Sequence, residues 1–225
     1  MISVFLPCRK GSQRIPDKNI KDFAGINGGL LAIKMEQLMA VKELDRIILS
    51  SNDPRVLDFA SNYKDERLII DERSDHLGSN ETTTDELISY VPRVIDEGDV
   101  LWTHVTSPFI NSKDYSDIIN AYYYNRELGF DSLMTMQKIQ GFLWDETGPV
   151  SYERKNLKWP FTQSIRPLYE VDSGAFVSSV ELYKKLNDRI GEKPFYYVQD
   201  KSKAIDIDWP EDFNFAETLW NQMIK

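Results

Sequence analysis

Short apolar segments alternate with longer amphipathic segments along the first half of this chain, an order that is typical of one fold class. Four segments have the length and apolar content of buried strands: residues 2–6, 46–50, 67–71 and 99–105. Helical spacing marks four others: residues 30–44, a stretch capped by Asn52 or Asp53 with Pro54 in its first turn, residues 82–96, which Pro92 bends or shortens, and residues 112–125. Strands that alternate with helices predict an α/β fold, with a mostly parallel sheet and helices on both faces.

The second half of the chain has a different order, in which further strands surround a segment rich in aromatic residues. Strands are predicted at residues 130–139, 170–179, 194–200 and 203–208. The last predicted helix, residues 209–224, begins at Pro210 and has one apolar face: Phe213, Ala216, Leu219, Trp220 and Met223. Residues 139–168 contain aromatic residues and the turn signal ETGP, which predict a hairpin or arm. Because there is no internal repeat or linker, residues 1–225 form one predicted domain with this arm as an insertion.

The composition excludes some classes of partner. The chain has 36 acidic and 27 basic side chains and a formal net charge of −9, so bulk binding to a nucleic acid backbone is not expected. No apolar run is long enough to cross a bilayer, so no membrane partner is expected. The single cysteine, Cys8, leaves no intrachain disulfide and indicates a cytoplasmic protein. We interpret Cys8 as a packing residue rather than a nucleophile.

A basic loop follows the first strand of this acidic chain. The sequence LPCRKGSQRIPDKNI, residues 6–20, contains four cations: Arg9, Lys10, Arg14 and Lys18. Gly11 lets the backbone approach a ligand closely, and Ser12 adds a hydroxyl and an amide donor. Because ligands of parallel sheets bind beyond the carboxyl ends of the strands, the loop is a candidate phosphate site. The alternative is a solvated charged loop, and composition alone favours neither hypothesis. The Walker pattern and the dinucleotide fingerprint are both absent.

Two aspartates lie near the end of the chain, in the sequence AIDIDW. If residues 203–208 form a strand, Asp206 and Asp208 point to the same face, and a cation between them relieves their repulsion. Carboxylate oxygens and substrate phosphates suit Mg²⁺. Capping of the final helix by Asp208 is the alternative, but it leaves Asp206 unexplained, so the metal hypothesis is favoured. Together with the basic loop, the pair predicts a nucleoside triphosphate site where a substrate hydroxyl displaces pyrophosphate.

Four motifs resemble those of the acylneuraminate cytidylyltransferases, also called CMP-sialic acid synthetases, and of the wider group that activates nonulosonic acids. LPCRKGSQRIPDKN is similar to the family's opening motif, L-P-A-R-x-G-S-K-x-I-P-x-K-N, and is the most specific match. Three weaker matches are VTSPF (105–109) to Q-P-T-S-P-L, DSGAFVSS (172–179) to N-G-A-I-Y-I, and AIDIDWPEDFNFAE (204–217) to D-I-D-T-x-x-D-x-x-x-A-E. The similarity runs from about residue 2 to about residue 217, and residues 139–168 match poorly.

The resemblance implies a nucleotide-diphospho-sugar transferase (Rossmann-like) fold with a protruding dimerisation arm, and therefore a homodimer. It implies an Mg²⁺-dependent enzyme that transfers CMP from CTP to an acidic, sialic-acid-like sugar and releases pyrophosphate. The implied catalytic residues are Arg9, Lys18, Asp206 and Asp208, of which the two aspartates bind the metal. The implied nucleotide contacts are Arg9, Gly11, Ser12, Gln13, Lys18, Asn19, Arg73, Thr82 and Thr83, with Thr84 beside them. The implied sugar contacts are His104, Thr106, Ser107, Gln163 and Ser173.

Three positions differ from the family pattern and keep alternatives open. Gln13 replaces a phosphate-binding lysine, a loss for which Arg14 or Lys10 would compensate. His104 replaces a glutamine and Ser173 an asparagine that contact the sugar in the family, so the acceptor is not identified. His104 is equally well explained as a buried, hydrogen-bonded residue without a catalytic role. The alternative functions are a non-catalytic nucleotide-binding homologue and a nucleotidyltransferase for another sugar acid or nucleotide.

Overall fold

The computed structural model of the protein describes residues 1–223 and contains a seven-stranded sheet, a separate two-stranded hairpin and six α-helices. The strands are β1 (Ile2–Cys8), β2 (Arg46–Ser51), β3 (Leu68–Glu72), β4 (Asp99–Trp102), β5 (Ser132–Ile139), β6 (Trp144–Asp145), β7 (Gly148–Pro149), β8 (Leu168–Ser179) and β9 (Pro194–Gln199). The helices are α1 (Gly29–Met39), α2 (Pro54–Ser61), α3 (Thr84–Val94), α4 (Ser112–Glu127), α5 (Val180–Leu186) and α6 (Pro210–Met223). The ends of the predicted helix 209–224 and of the predicted domain 1–225 lie outside the described residues.

The strand order of the sheet is β3-β2-β1-β4-β8-β5-β9. β8 is antiparallel to both of its neighbours, β4 and β5, and the other strand pairs of the sheet are parallel. The predicted mostly parallel sheet is therefore confirmed. Because β1 runs parallel to β2 and β4, the loop after Cys8 emerges between two other carboxyl ends, where ligands of such sheets bind.

Alternate side chains of the strands pack against helices on the two faces of the sheet. Val4 and Leu6 of β1 belong to a hydrophobic cluster with residues of α1, α2, α4 and α6. Phe5 points to the other face, where its ring lies 4.9 Å from that of Trp102 in a cluster with α3 and α5. The predicted helix layers on both faces are thus confirmed. Cys8 is buried in the first cluster, and burial raises its thiol pKa to about 12, as expected for a packing residue.

Residues 203–208 are not a strand, so this prediction is wrong. The segment forms a turn followed by irregular backbone. The Ile207 amide donates to the Thr106 carbonyl at 2.9 Å, which ties the segment to the loop after β4. Its alternating pattern arises because Ile207 is buried in the core between two acidic residues, not because the segment pairs with a strand.

Other element boundaries differ from the predictions in detail. α1 ends at Met39 rather than at residue 44, and β4 ends at Trp102 rather than at residue 105. α3 keeps Pro92 in its last turn and ends at Val94. The sequence does not predict α5, which follows β8 directly and packs on the same face as α3. Within residues 1–223, none of the helices has the length and apolar character needed to cross a bilayer.

Residues 140–167 lie outside the main sheet. β6 and β7 pair as a short antiparallel hairpin. Beside it, the ring of Phe142 lies 5.1 Å from that of Tyr152 and 5.2 Å from that of Trp159, edge to face in both cases. Trp159 is 61% exposed and Phe161 is 80% exposed. The use of this segment as a dimerisation arm stays a prediction.

Candidate active site

A cleft of about 410 Å³ opens at the carboxyl ends of β1 and β4. Its walls contain most of the residues singled out in the sequence, although these come from both ends of the chain. The lining residues that the sequence predicts are Arg9, Ser12, Gln13, Lys18, Asn19, Arg73, His104, Thr106, Ser173, Asp206 and Asp208. Five other predicted residues do not line it: Gly11, Thr82, Thr83, Ser107 and Gln163.

The basic loop after β1 is held by hydrogen bonds to itself and to a neighbouring loop. Asn19 Nδ2 donates to the Arg9 carbonyl at 3.1 Å. Arg9 Nη1 donates to Asn80 Oδ1 at 2.5 Å, which joins the loop to the segment before α3. Gly11 has a φ of +76° and no atom near the place of a Cβ. Its left-handed backbone explains the glycine, and the open space leaves room for a ligand against the main chain.

Two cations of this loop reach the aspartate segment. Lys18 Nζ donates to the Ile207 carbonyl at 2.7 Å and to Asp208 Oδ1 at 3.2 Å. Arg14 Nη1 lies 3.0 Å from Asp208 Oδ2, and its guanidinium stacks on Trp209, 4.7 Å from the ring centroid. Burial acts to raise the pKa of Asp208, but Lys18 and Arg14 outweigh it and lower that pKa below its ordinary value. The opening loop and the acidic segment therefore form one site.

Asp206 has different surroundings from Asp208. Its Oδ1 atom is buried and has no hydrogen-bond partner within residues 1–223. Burial raises the pKa of Asp206, and the negative charge of Asp208 adds to this effect. A buried carboxylate oxygen without a donor is costly to maintain, so Asp206 is suited to bind a cation or a donor group of a ligand.

The two aspartates together offer the carboxylate oxygen ligands that an Mg²⁺ site needs. The Asp208 carboxylate does not cap α6: its described contacts are with Lys18 and Arg14, and the amides of residues 208 and 209 donate to Asp212 Oδ2 instead, at 3.1 Å and 2.8 Å. No group of three or more His, Cys, Asp or Glu ligands is assembled in the described part of the chain. Mg²⁺ often takes only one or two carboxylates and completes its shell with waters and substrate phosphates. Asp206 Oδ1, which has no hydrogen-bond partner among residues 1–223, fits such an ion. Asp208 would be a second ligand, although its carboxylate also contacts Lys18 and Arg14.

Arg73 is a buried cation in the cleft wall. The residue is 3% exposed, and its Nε and Nη1 atoms have no partner among residues 1–223. Burial lowers the pKa of Arg73. A buried guanidinium with free donors is poorly satisfied by the protein alone, so it can bind an acceptor group of a ligand.

The three threonines at the start of α3 have different contacts. Thr82 Oγ1 donates to the His76 carbonyl at 2.6 Å. Thr83 caps the helix: its Oγ1 accepts the Glu86 amide at 3.2 Å, and Glu86 Oε2 accepts the Thr83 amide at 2.7 Å. Thr84 lines the cleft. The side chains of Thr82 and Thr83 therefore hold the local backbone, and their contact with a nucleotide stays a prediction.

His104 follows β4 into the cleft wall. Its Nε2 atom accepts a hydrogen bond from Trp102 Nε1 at 2.9 Å. Burial lowers the pKa of His104 to about 3, with the positive charges of Arg189 and Lys18 adding to the effect. The ring is therefore neutral at pH 7 and carries its proton on Nδ1, because Nε2 is the acceptor. His104 offers a neutral donor to a ligand; it is half-buried and hydrogen-bonded to Trp102, so the alternative hypothesis of a hydrogen-bonded histidine without a catalytic role stays open.

Ser173 lies at an irregular point of β8. Its φ is +58°, and the register between β5 and β8 shifts between Met134 and Met136. Asp172 Oδ1 accepts the Gly174 amide at 2.9 Å, which holds this backbone. The irregularity accommodates Ser173 in the cleft wall. Asparagine tolerates left-handed backbone better than serine, so the difference from the family pattern carries a small backbone strain.

The cleft also contains residues that the sequence analysis does not select. These are Pro7, Ile15, Leu87, Trp102, Val105 and Arg189. Arg189 is the most important of them because it is a cation. It belongs to none of the four motifs and follows α5, the helix that the sequence does not predict. No sequence signal therefore indicates that Arg189 lies beside β4.

The sequence of this chain is similar to those of a known protein family and of two known proteins. A sequence model of the cytidylyltransferase family matches residues 3–224. Two relatives are pseudaminic acid cytidylyltransferases of Campylobacter jejuni subsp. jejuni, one from serotype O:23/36 and one from serotype O:2. They are 26% and 25% identical to this chain over 225 residues, which cover 96% of the chain and 94% of each relative.

Solved structures show the same fold. CMP:2-keto-3-deoxy-manno-octonic acid synthetase in complex with CTP has a TM-score of 0.66 at 16% identity, over 99% of both chains. The 4-diphosphocytidyl-2C-methyl-D-erythritol synthase of Anaerococcus prevotii has a TM-score of 0.69 at 19% identity, over 98% of this chain and 96% of the other. The predicted fold class is therefore confirmed. Because the family match extends over nearly the whole sequence, the predicted enzyme class is confirmed too: the chain belongs to the cytidylyltransferase family.

Proposed function

We propose that this protein transfers CMP from CTP to a nonulosonic acid, releases pyrophosphate and uses Mg²⁺ as its cofactor. The observation that carries the proposal is the pair of ion pairs from Lys18 and Arg14 to Asp208. They join the basic loop after β1, the candidate phosphate site, to the two aspartates in one cleft. The names of the two Campylobacter jejuni relatives support the acceptor class, since pseudaminic acid is a nonulosonic acid.

The reaction requires a triphosphate and a sugar hydroxyl in line with each other. The hydroxyl oxygen forms a bond to the α-phosphorus of CTP, and the bond from that phosphorus to the oxygen that bridges to the β-phosphate breaks. Pyrophosphate leaves with the electron pair, and the hydroxyl proton passes to solvent. Such a transfer depends on positioning and charge neutralisation more than on a reactive side chain.

The chain's own residues supply both. Arg9, Ser12 and Lys18 hold the phosphates with charge-assisted hydrogen bonds. Arg14 provides a positive charge beside Gln13, where the family has a lysine. Mg²⁺ held by Asp206 and Asp208 would supply a Lewis acid that neutralises charge on the phosphate oxygens. The remaining wall, with the neutral Nδ1–H donor of His104, binds the sugar.

The test is pyrophosphate release from CTP and Mg²⁺ with a panel of acidic sugars: pseudaminic acid, N-acetylneuraminic acid and 2-keto-3-deoxy-manno-octonic acid. We expect turnover with at least one acid and its loss when EDTA removes the metal. Asp206→Asn should lower turnover by at least about 100-fold, since it removes a carboxylate that would hold the Mg²⁺ ion, and this ion would neutralise the charge of the reacting phosphates. Asp58→Asn, on the exposed side of α2, removes the same charge and serves as the control. Absence of turnover with every acid would refute the proposal.

Nucleotide binding without turnover is the second candidate function. Gln13 favours it, because this residue lines the cleft without the charge of the family's lysine. CTP binding raises thermal stability by mass action whether or not chemistry follows. Stabilisation by CTP and Mg²⁺, combined with no release of pyrophosphate from CTP in the presence of any of the acids, would identify this function, whereas turnover would exclude it.

We also propose that the protein forms a homodimer in which residues 139–168 of one subunit contact the other. The exposed rings of Trp159 and Phe161 support this, since large apolar surfaces commonly mark an interface. A cytoplasmic location is proposed as well, and the single reduced cysteine, Cys8, supports it.

A further inference from the structure

Arg189 lies in the cleft wall but belongs to none of the motifs that predict the site. We propose that Arg189 binds the carboxylate of the acceptor sugar and thereby selects acidic acceptors. This inference rests on the proposed function and names the residue that recognises the charge of its substrate.

Two aromatic rings hold the guanidinium in place. The Arg189 guanidinium carbon lies 3.6 Å from the ring centroid of Phe176 and 5.0 Å from that of Trp102. Both rings are buried, and they come from paired positions of β8 and β4. Stacking satisfies the face of a guanidinium and leaves its N–H edge for hydrogen bonds. The side chain is thus positioned before any ligand binds.

Among residues 1–223, the guanidinium of Arg189 has no ion-pair partner and no hydrogen-bond partner; the charge of Asp188 acts on it only at longer range. Asp188, its neighbour in the chain, instead accepts the amides of Arg189 and Ile190 at 2.6 Å and 3.2 Å. Burial lowers the pKa of Arg189, which reflects the cost of removing the charge from water. A partly buried, unpaired guanidinium in a cleft is stabilised by an anionic ligand.

The position of Arg189 favours a sugar carboxylate over a phosphate. The cations proposed to bind the phosphates, Arg9 and Lys18, lie on the loop after β1. Arg189 instead lies beside Trp102 in the cleft wall. Among the cations that lower the pKa of His104, it has the largest effect. His104 lies at the position that the resemblance assigns to the sugar. A guanidinium also matches a carboxylate with two parallel hydrogen bonds, which a neutral sugar cannot accept.

The test uses the acid of the panel that the wild type converts fastest, together with the carboxamide of that acid. Arg189→Met keeps the packing on Phe176 and removes the charge, and Arg189→Lys keeps the charge without the planar fork. We expect Arg189→Met to raise the KM for the acid by about 10- to 100-fold, the usual effect of losing a charged hydrogen bond. Arg189→Lys should have an intermediate effect, and the Kd for CTP, measured by thermal shift, should not change. Arg93→Met, on the exposed side of α3, is the control for loss of a positive charge.

The carboxamide separates recognition of charge from a merely structural role. For the wild type, kcat/KM should be lower with the carboxamide than with the acid. The factor should be about the same as the one by which Arg189→Met lowers kcat/KM for the acid. In Arg189→Met itself, kcat/KM should be about the same for the carboxamide and the acid. An unchanged KM for the acid in Arg189→Met would overturn the inference, as would a rise in the KM for CTP alone. If Arg189→Met does not fold, Arg189→Lys and the carboxamide on the wild type decide the question. A wild type that neither binds CTP nor releases pyrophosphate would instead refute the proposed function.

Discussion

His104 illustrates how its surroundings decide what one side chain can contribute. A histidine in water titrates near pH 6.5, within the range of a general base. In this protein, burial and the charges of Arg189 and Lys18 lower the pKa of His104 to about 3, so the ring stays neutral near pH 7. A neutral imidazole has one N–H donor and one acceptor nitrogen, and the side-chain amide of glutamine likewise combines a donor group with an acceptor. Histidine can therefore stand where the resemblance places a glutamine without changing the charge of this part of the cleft wall.

The same low pKa makes His104 a source of acid sensitivity. Below about pH 6.5 the unfolded chain binds a proton at His104, whereas the folded protein does not until about pH 3. Stability therefore decreases as the pH falls through this window, by up to about 1.4 kcal/mol per pH unit. We expect His104→Gln to gain about 2 kcal/mol relative to the wild type between about pH 7.5 and about pH 5. Urea unfolding of both proteins at the two pH values measures this, and an identical pH dependence would contradict it.

The residues of the basic loop and the acidic segment can be predicted because their chemistry is contained in consecutive positions. Lys18 and Asp208 carry opposite charges in two short motifs, and the structure joins them at 3.2 Å. Arg189 cannot be predicted in this way. Its position depends on the rings of Phe176 and Trp102, which come from two strands that pair only in the folded sheet.

At the scale of elements, α3 connects local capping to the site. Its capping box is visible in the sequence as Thr83 followed by Glu86, three residues on. In the structure this box fixes the first turn of a helix that carries Thr84 and Leu87 in the cleft wall. The same sequence pattern thus begins the helix and orients two lining residues.

Substitution of Thr83 should show whether this residue acts only as the cap of α3 or also contacts the nucleotide. Thr83→Ala removes the oxygen that accepts the Glu86 amide and should lower the free energy of unfolding by about 1 kcal/mol, while Thr83→Ser should retain most of it. The Kd for CTP should change little, because Thr83 does not line the cleft. Urea unfolding and CTP thermal shift of the three proteins give both quantities. A weakened affinity at unchanged stability would instead support the predicted nucleotide contact of Thr83.

Elements whose pattern is local can be predicted, and those that depend on distant partners cannot. β1 and α4 lie close to their predicted bounds because an apolar run or a helical period identifies them. Residues 203–208 alternate as a strand does, yet no strand pairs with them. α5 has only seven residues, too few for a helical period to be distinct.

For the whole molecule, the alternation of strands and helices predicts the parallel sheet but not the insertion of β8 between β4 and β5. This insertion depends on pairing between distant segments, which local propensity does not encode. It matters for function, because β8 brings Ser173 and Phe176 beside the end of β4. The antiparallel strand thus completes the wall that the parallel strands begin.

The sheet leaves an apolar surface near its β9 edge, on the face that α3 and α5 cover elsewhere. Val171 of β8 and Val198 of β9 both pair with Met136, so their side chains point to the same face. Nearby, the rings of Tyr169 and Tyr196 lie 6.3 Å apart. The side chains of Val171, Val198, Tyr169 and Tyr196 are all exposed in the single chain, whereas Met136 is buried. An exposed apolar edge of this kind is usually covered in the native assembly, and the proposed homodimer would cover it together with residues 139–168.

A charge at this surface should therefore weaken the dimer without unfolding the subunit. Val198 is 46% exposed, so Val198→Asp should leave the fold intact and raise the dimer dissociation constant by at least about tenfold, since an unpaired carboxylate is costly to bury in an interface. Ile69→Asp is the matched control, because Ile69 is 44% exposed on β3, at the opposite edge of the sheet. Sedimentation velocity over a range of concentrations measures the effect, with the melting temperature as a check on folding. A monomeric wild type, or a Val198→Asp dimer as tight as that of Ile69→Asp, would show that this surface is not the interface.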